Sequence, residues 1–188
     1  MDKHIPDREE AWTLLNKYNK SESLINHAKS VEGVMRYIGA KKGEDADKWG
    51  IIGLAHDLDY EMYPDQHCTK TKEILEEAGW DDEYIRAIVS HGWGIVSDVE
   101  PLSELEKTLY AIDELTGLVT ACALVRPSKS VMDMEVKSVK KKWKIPSFAA
   151  GADRNTIMKG AEMLGVELDQ LIEDVIAGMR GVAPAIGL

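Results

Sequence analysis

Five groups of side chains in this 188-residue chain have the types and spacing to bind divalent ions. They are His27, the adjacent pair His56-Asp57, His67, His91 and Asp113, separated by 29, 10, 24 and 22 residues. Imidazole and carboxylate are the ligands that hold zinc, iron, manganese and similar ions. A lone histidine on a helix is more often a hydrogen-bonded core residue or a solvated one. The ordered set is another matter, because a metal site in a helical bundle draws its ligands from several facing helices. His4, near the N-terminus, is assigned no role.

Helical periodicity dominates the chain, and strand alternation is hard to find. A first helix begins near Pro6 and runs through Trp12, Leu15 and Tyr18, proline being suited to a first turn. Ser21 or Ser23 caps a second, with Leu24, Ala28, Val31, Met35 and Ile38 at spacings of three and four, and His27 lies midway along it. A third segment, 49–58, is apolar nearly all round, hence central, and carries His56-Asp57 near its end. A fourth opens at Pro64 or Asp65, includes His67 and stops at Gly79. Asp81 or Asp82 caps a fifth that ends near His91, and residues 92–101 read as a loop. Ser103 with Glu106 forms a capping-box pattern. It opens a long helix that carries Asp113 to about Val125, where Pro127 ends it. Further helical windows cover 132–144, 147–164 and 167–180. The expectation is an all-α fold in one domain over 1–188. It has a metal-binding core over about 22–126, a helical extension over about 127–180 and an apolar tail at 181–188.

Composition narrows the partners. The chain has 23 Lys and Arg against 33 Asp and Glu, a net charge of −10. Such a field repels polyanions, which argues against long nucleic acid and anionic membranes. Two cysteines, Cys68 and Cys122, cannot build a disulfide framework and fit a reducing compartment. The first ten residues have no apolar core of a secretory signal. A soluble, cytoplasmic protein is expected.

The ordered histidines and aspartates resemble the signature of the HD-domain metal-dependent phosphohydrolases, H…HD…D with optional histidines between. The resemblance covers roughly residues 22–126, and both optional histidines are present. The surrounding windows match in character: GLAHDLD, HCTKTKEILEEAG, IRAIVSHGWG and LYAIDELTGLVTA. It implies an HD-type helical bundle in which His27, His56, Asp57 and Asp113 hold one metal. Asp57 would bridge to a second held by His67 and His91, which puts His56 and Asp57 at the catalytic centre. One or two divalent ions (Mn, Fe, Zn, Ni, Co or Mg) are the implied cofactors. A carboxylate has two oxygens with which to bridge, and paired ions can deprotonate a shared water for attack at phosphorus. The implied activity is hydrolysis of a small phosphorylated compound, plausibly a nucleotide. Two alternatives stay open: an HD-fold di-iron oxygenase with the same ligand count, and a non-catalytic domain binding a nucleotide or partner.

Departures bear on the substrate. Leu58-Asp59-Tyr60 follows the His-Asp pair where several relatives have Ile-Gly-Lys, and no Gly-Tyr-Pro turn is present. Both reduce the case for cyclic dinucleotides. Residues 126–144 hold seven basic and two acidic residues. Lys137, Lys140, Lys141 and Lys144 share one helical face, opposite Met132, Val136, Val139 and Trp143, which are expected to pack on the core. Either this face is solvated, or Arg126, Lys129, Lys137 and Lys140 border the metal site and bind phosphate. Smaller expectations concern single residues. Asp59 reads as a helix-end carboxylate exposed to water rather than a partner of the ligands. Glu114 projects about 100° from Asp113 and reads as surface or outer shell. Trp93 reads as a core anchor rather than a lid. Thr116, Gly117 and Thr120 either leave room for a ligand or allow close helix packing.

Overall fold

The computed structural model describes residues 3–188 and is all-α. Among the described residues there are nine α-helices and, in place of strands, two isolated bridges, His4 with Trp80 and Trp93 with Ser97. The first five helices are α1 (Arg8–Tyr18), α2 (Glu22–Lys41), α3 (Ala46–Ala55), α4 (Thr69–Glu77) and α5 (Asp82–Ser90). They are followed by α6 (Glu104–Leu124), α7 (Val136–Trp143), α8 (Arg154–Leu164) and α9 (Leu168–Ile186). None is long and apolar enough to cross a membrane.

The helix starts follow local chemistry. Asp7 caps α1 by accepting the Glu10 N–H at 2.9 Å, and Asp45 caps α3 by accepting from Asp47 and Lys48. The Ser103–Glu106 box closes in both directions, at 3.2 and 3.0 Å, and fixes the start of α6. α2 packs most extensively against α3 and α9, while α6 lies on α2 and carries α8. Val31, Val34, Met35 and Ile38 of α2 join Ile52, Leu54, Ile112, Leu115, Val175 and Met179 in one core.

Five elements depart from their expected extents, among them the window 132–144, which is helical only from Val136 and leaves Met132 exposed and off the core face. Helix α3 ends at Ala55, so His56 and Asp57 sit in the turns after it and not within it. The fourth segment is broken: a 3-10 turn at Pro64–Gln66 precedes His67, and Cys68 takes a positive φ of 66° before α4 starts. That break lifts His67 out of the helix and turns it towards the core. The expected tail is instead the end of α9, which runs to Ile186 through Pro184. Ala183 and Ile186 are buried there, and burial of that face outweighs the lost proline N–H. The window 147–164 is helical only from Arg154, because Asp153 supplies the cap and Ala149 turns the chain at φ 46°.

Two contacts need glycine. A Cβ on Gly178 would lie 2.5 Å from Val34 Cα, and one on Gly160 would lie 2.5 Å from Ala111 Cα. Both clashes are with backbone, so the helices must separate to relieve them. Gly178→Ala is expected to destabilise by about 1–3 kcal/mol through overpacking. Gly181→Ala, where a Cβ meets nothing within 4 Å, should be neutral or gain up to about 1 kcal/mol in helix propensity. Urea unfolding midpoints of the two variants test this; a shift of the same sign for both would contradict it.

Candidate metal centre

The six expected ligands converge although they come from five separate segments. His27 is on α2, His56 and Asp57 follow α3, His67 precedes α4, His91 caps α5, and Asp113 is midway along α6. Donor atoms of His27, His56, Asp57 and Asp113 lie within 4.8 Å of one another. Asp113 Oδ1 is 2.9 Å from His27 Nε2 and 3.2 Å from His56 Nε2. The two oxygens of Asp57 divide their attention. Oδ2 faces His56 Nε2 at 3.3 Å and His27 Nε2 at 3.8 Å, while Oδ1 is 3.4 Å from both His67 Nε2 and His91 Nε2. The Asp57 and Asp113 side chains are 15% and 18% exposed, so the cluster opens to a cavity.

The far nitrogens of three rings are already committed. His56 Nδ1 is 2.8 Å from the Gly53 carbonyl, and His91 Nδ1 is 2.5 Å from that of Ile88. A carbonyl only accepts, so both Nδ1 atoms carry hydrogen. His67 Nδ1 donates to Asp59 Oδ1 at 2.7 Å. In the neutral rings each Nε2 is then a lone pair aimed inwards. His67 Nε2 and His91 Nε2 face each other at 3.1 Å, an unfavourable approach for two lone pairs unless a proton or cation lies between them. His56 Nε2 is fully buried and near two carboxylates, yet makes no hydrogen bond of proper geometry. Its lone pair points to a shared centre and not to one oxygen. The donor set therefore fits divalent metal binding.

Titration follows the same geometry. Burial alone would lower His56, but Asp57 and Asp113 reverse this and raise it to about 10. Burial also opposes the charging of His67, and the Asp59 hydrogen bond carries it to about 9. Asp57 and Asp113 are held below the usual carboxylate range; burial acts against this, and the facing histidines overcome it. The sign is then fixed. Without metal, the raised histidines contribute stability that is complete below about pH 6.5 and lost as pH rises through about 9 and 10. A cation must displace those protons. Its apparent affinity should rise at least about tenfold between pH 6 and 8, with protons released on binding. Calorimetry in buffers of differing ionisation enthalpy checks this, and a pH-independent affinity would contradict it.

Of the neighbouring residues, Asp59 departs most from its sequence reading. Asp59 is not exposed: it is wholly buried, bonds His67 and accepts the Thr71 backbone N–H at 2.8 Å. The turn after α3 folds it inwards. Glu114 lines the cavity beside Asp113 and accepts the Asp153 N–H at 3.3 Å. Burial, then the nearby Asp113 charge, raise it to about 7. Cys68, given no role from sequence, is buried with Sγ 4.0 Å from His91 Nδ1. Burial would raise its thiol, but His91 and His67 bring it down to about 6. Thr116 is buried and returns its hydroxyl to the Ile112 carbonyl, whereas Gly117 lines the cavity. Trp93 packs by Tyr110 under Lys159 and does not line the cavity.

The four basic residues expected to bind phosphate are elsewhere. Arg126 is held by Ser138 and Asp133, and Lys129 is exposed in the turn after α6. Lys137 pairs with Glu135, and Lys140 with Asp169 at 2.7 Å. None lines the metal cavity, because Val139 on the other face of α7 is buried in the core and turns the lysines outwards. His4 bridges to Trp80 and contacts Glu10, apart from the site.

A family model for the HD domain matches residues 24–118, which contain all six converging ligands. The chain belongs to the HD-domain family. A tRNA (cytidine(56)-2'-O)-methyltransferase from Thermoplasma volcanium is 30% identical to this HD-domain protein over 123 residues. The aligned stretch is 64% of this chain and 36% of that relative, so the chain spans about a third of its length. No solved structure matches.

Proposed function

We propose that this HD-domain protein is a metal-dependent phosphohydrolase acting on a small phosphorylated compound. The observation that carries the reading is Asp57, whose two oxygens face two separate histidine pairs. His27, His56, Asp57 and Asp113 would hold one divalent ion, and His67 and His91 a second that shares Asp57. Ions bound there supply a nucleophile from water at neutral pH and positive charge for phosphoryl oxygens. The Gly53 and Ile88 carbonyls and Asp59 lock three imidazoles with their lone pairs inwards. Glu114, in the cavity wall beside Asp113, is the carboxyl group placed to give a proton to a departing alkoxide. The larger part of the methyltransferase relative lies outside the aligned stretch, and its methyl transfer is not carried over.

The test is phosphate release from a panel of phosphate esters by protein loaded with manganese, and its loss in His56→Ala. No release with any divalent metal, together with substrate-dependent oxygen uptake, would replace the reading with a di-iron oxygenase. Glu114→Gln tests the proton donor. Its kcat should fall about 10²-fold for an alkyl phosphate and far less for p-nitrophenyl phosphate, whose leaving group needs no proton. Equal losses for the two esters would remove Glu114 from that role.

A further inference from the structure

Cationic side chains are absent from the walls of the metal cavity and gathered on α7. No lysine or arginine lines that cavity among the described residues. Lys137, Lys140, Lys141 and Lys144 instead line one groove of about 590 Å³, with Val136 and with Asp169 from the first turn of α9. Their spacing of i, i+3, i+4 and i+7 sets four ammonium groups along two turns of helix, about 10 Å. Buried Val139 anchors the other face of α7, and Lys137, Lys141 and Lys144 are exposed. Like charges three and four residues apart destabilise a helix. Helix polarity offsets this only in the last turn, where Lys140 and Lys141 oppose the partial negative charge of the helix end; Lys137 is in the first turn, where a cation is unfavourable. Lys137 pairs with Glu135 and Lys140 with Asp169 at 2.7 Å, while Lys141 and Lys144 make no ion pair among the described residues. Four lysines against one aspartate leave the groove lining at +3 in a chain of −10.

We propose that this groove is a second ligand site, apart from the metal centre, for a short oligophosphate: two or three linked phosphates, inorganic or at the end of an organic group. It is independent of the phosphohydrolase reading. Lysine suits such a ligand, being a point charge on a flexible stem that makes charge-assisted hydrogen bonds to phosphate oxygens. Two features set the ligand's length. A single phosphate cannot reach lysines at both ends of the array, so linked phosphates gain contacts that one does not. A long polyanion would run off the groove onto a surface of the opposite kind. Residues 126–144 carry seven basic and two acidic side chains, which leaves −15 for the rest of the chain. The groove volume falls within the roughly 300–1,000 Å³ of small-molecule sites.

The experiment titrates the isotope-labelled full chain and follows backbone amide shifts, which separate α7 from the metal centre residue by residue and report folding of every variant. The probes are inorganic tripolyphosphate, adenosine triphosphate, orthophosphate and a single-stranded RNA oligonucleotide. Tripolyphosphate should shift α7 and the first turn of α9, and bind there at least about tenfold more tightly than orthophosphate. Raised salt should weaken it, as it does for exposed charges. The double variant Lys141→Gln/Lys144→Gln should lose at least about tenfold in affinity. The control Lys17→Gln/Lys72→Gln, on α1 and α4, should stay within about twofold of wild type. Whichever of tripolyphosphate and adenosine triphosphate binds α7 more tightly identifies the inorganic or the organic-linked source. Shifts at the metal centre alone, orthophosphate bound as tightly as tripolyphosphate, or equal losses in the two double variants would overturn the proposal. RNA bound at α7 more tightly than either oligophosphate would also overturn it, and would make the groove a nucleic-acid surface.

Discussion

Asp57→Asn is expected to abolish phosphate-ester turnover, with a loss of at least about 10³-fold in kcat/KM. Asparagine has nearly the same shape but no charge and only one acceptor oxygen. It can face either His27 and His56 or His67 and His91, but not both as a ligand. The loss should therefore appear in metal stoichiometry as well as in rate. Folding should survive, because Asp57 lies in the cavity wall and makes no helix cap. Metal-free stability should shift in a defined direction. His56 and His91 lose a carboxylate partner, so their raised proton affinities fall towards the ordinary value near 6.5. Full turnover by a variant that retains both ions would show that Asp57 is not the bridge.

Asp59→Ala is the second large effect, although this side chain touches neither ion in the proposed arrangement. Its carboxylate joins His67 Nδ1 and the Thr71 backbone N–H, both at the start of α4. Removing it frees the His67 ring to rotate and leaves two donors unpaired in a buried site. Affinity for the ion at His67 and His91 should fall about 10–100-fold, as for other partners that orient metal-binding histidines. Stability should fall by about 1–3 kcal/mol. Asp59→Asn keeps an acceptor oxygen for one of the two donors, so it should recover part of the affinity. That graded response separates a positioning role from simple damage to the fold. If Ala and Asn variants bind the metal as tightly as wild type, Asp59 has no part in the site.

The legible and illegible parts of this site divide along physical lines. Ligand identity is local information. His27, His56, Asp57, His67, His91 and Asp113 stand out as a set by residue type, order and helical context, the resemblance implies their roles, and the fold brings them together. Helix caps are equally local, and Ser103–Glu106 forms as its spacing requires. What a side chain faces is decided by tertiary packing. Asp59 lies only two residues from Asp57, and nothing in the sequence says that the turn after α3 buries it. Glu114 does point away from Asp113, but α8 and its preceding loop close over that side of α6 and bring it into the cavity wall. The lysines of α7 show the converse. Their common face was readable, while its direction, away from the metal cavity, is set by where Val139 finds the core. The break at Cys68 was hidden because a positive φ at a non-glycine residue has no sequence signal.

The acidic composition also has a local meaning in the fold. Two of its carboxylates are gathered with four imidazoles into a cluster whose donor set fits divalent cations. The most direct test is the number of divalent ions bound per chain after reconstitution with manganese at pH 8, compared with His67→Ala and His91→Ala. The account predicts about two ions in wild type, falling to about one in either variant. A wild-type chain that is folded but binds at most one ion, with no change in either variant, would contradict it.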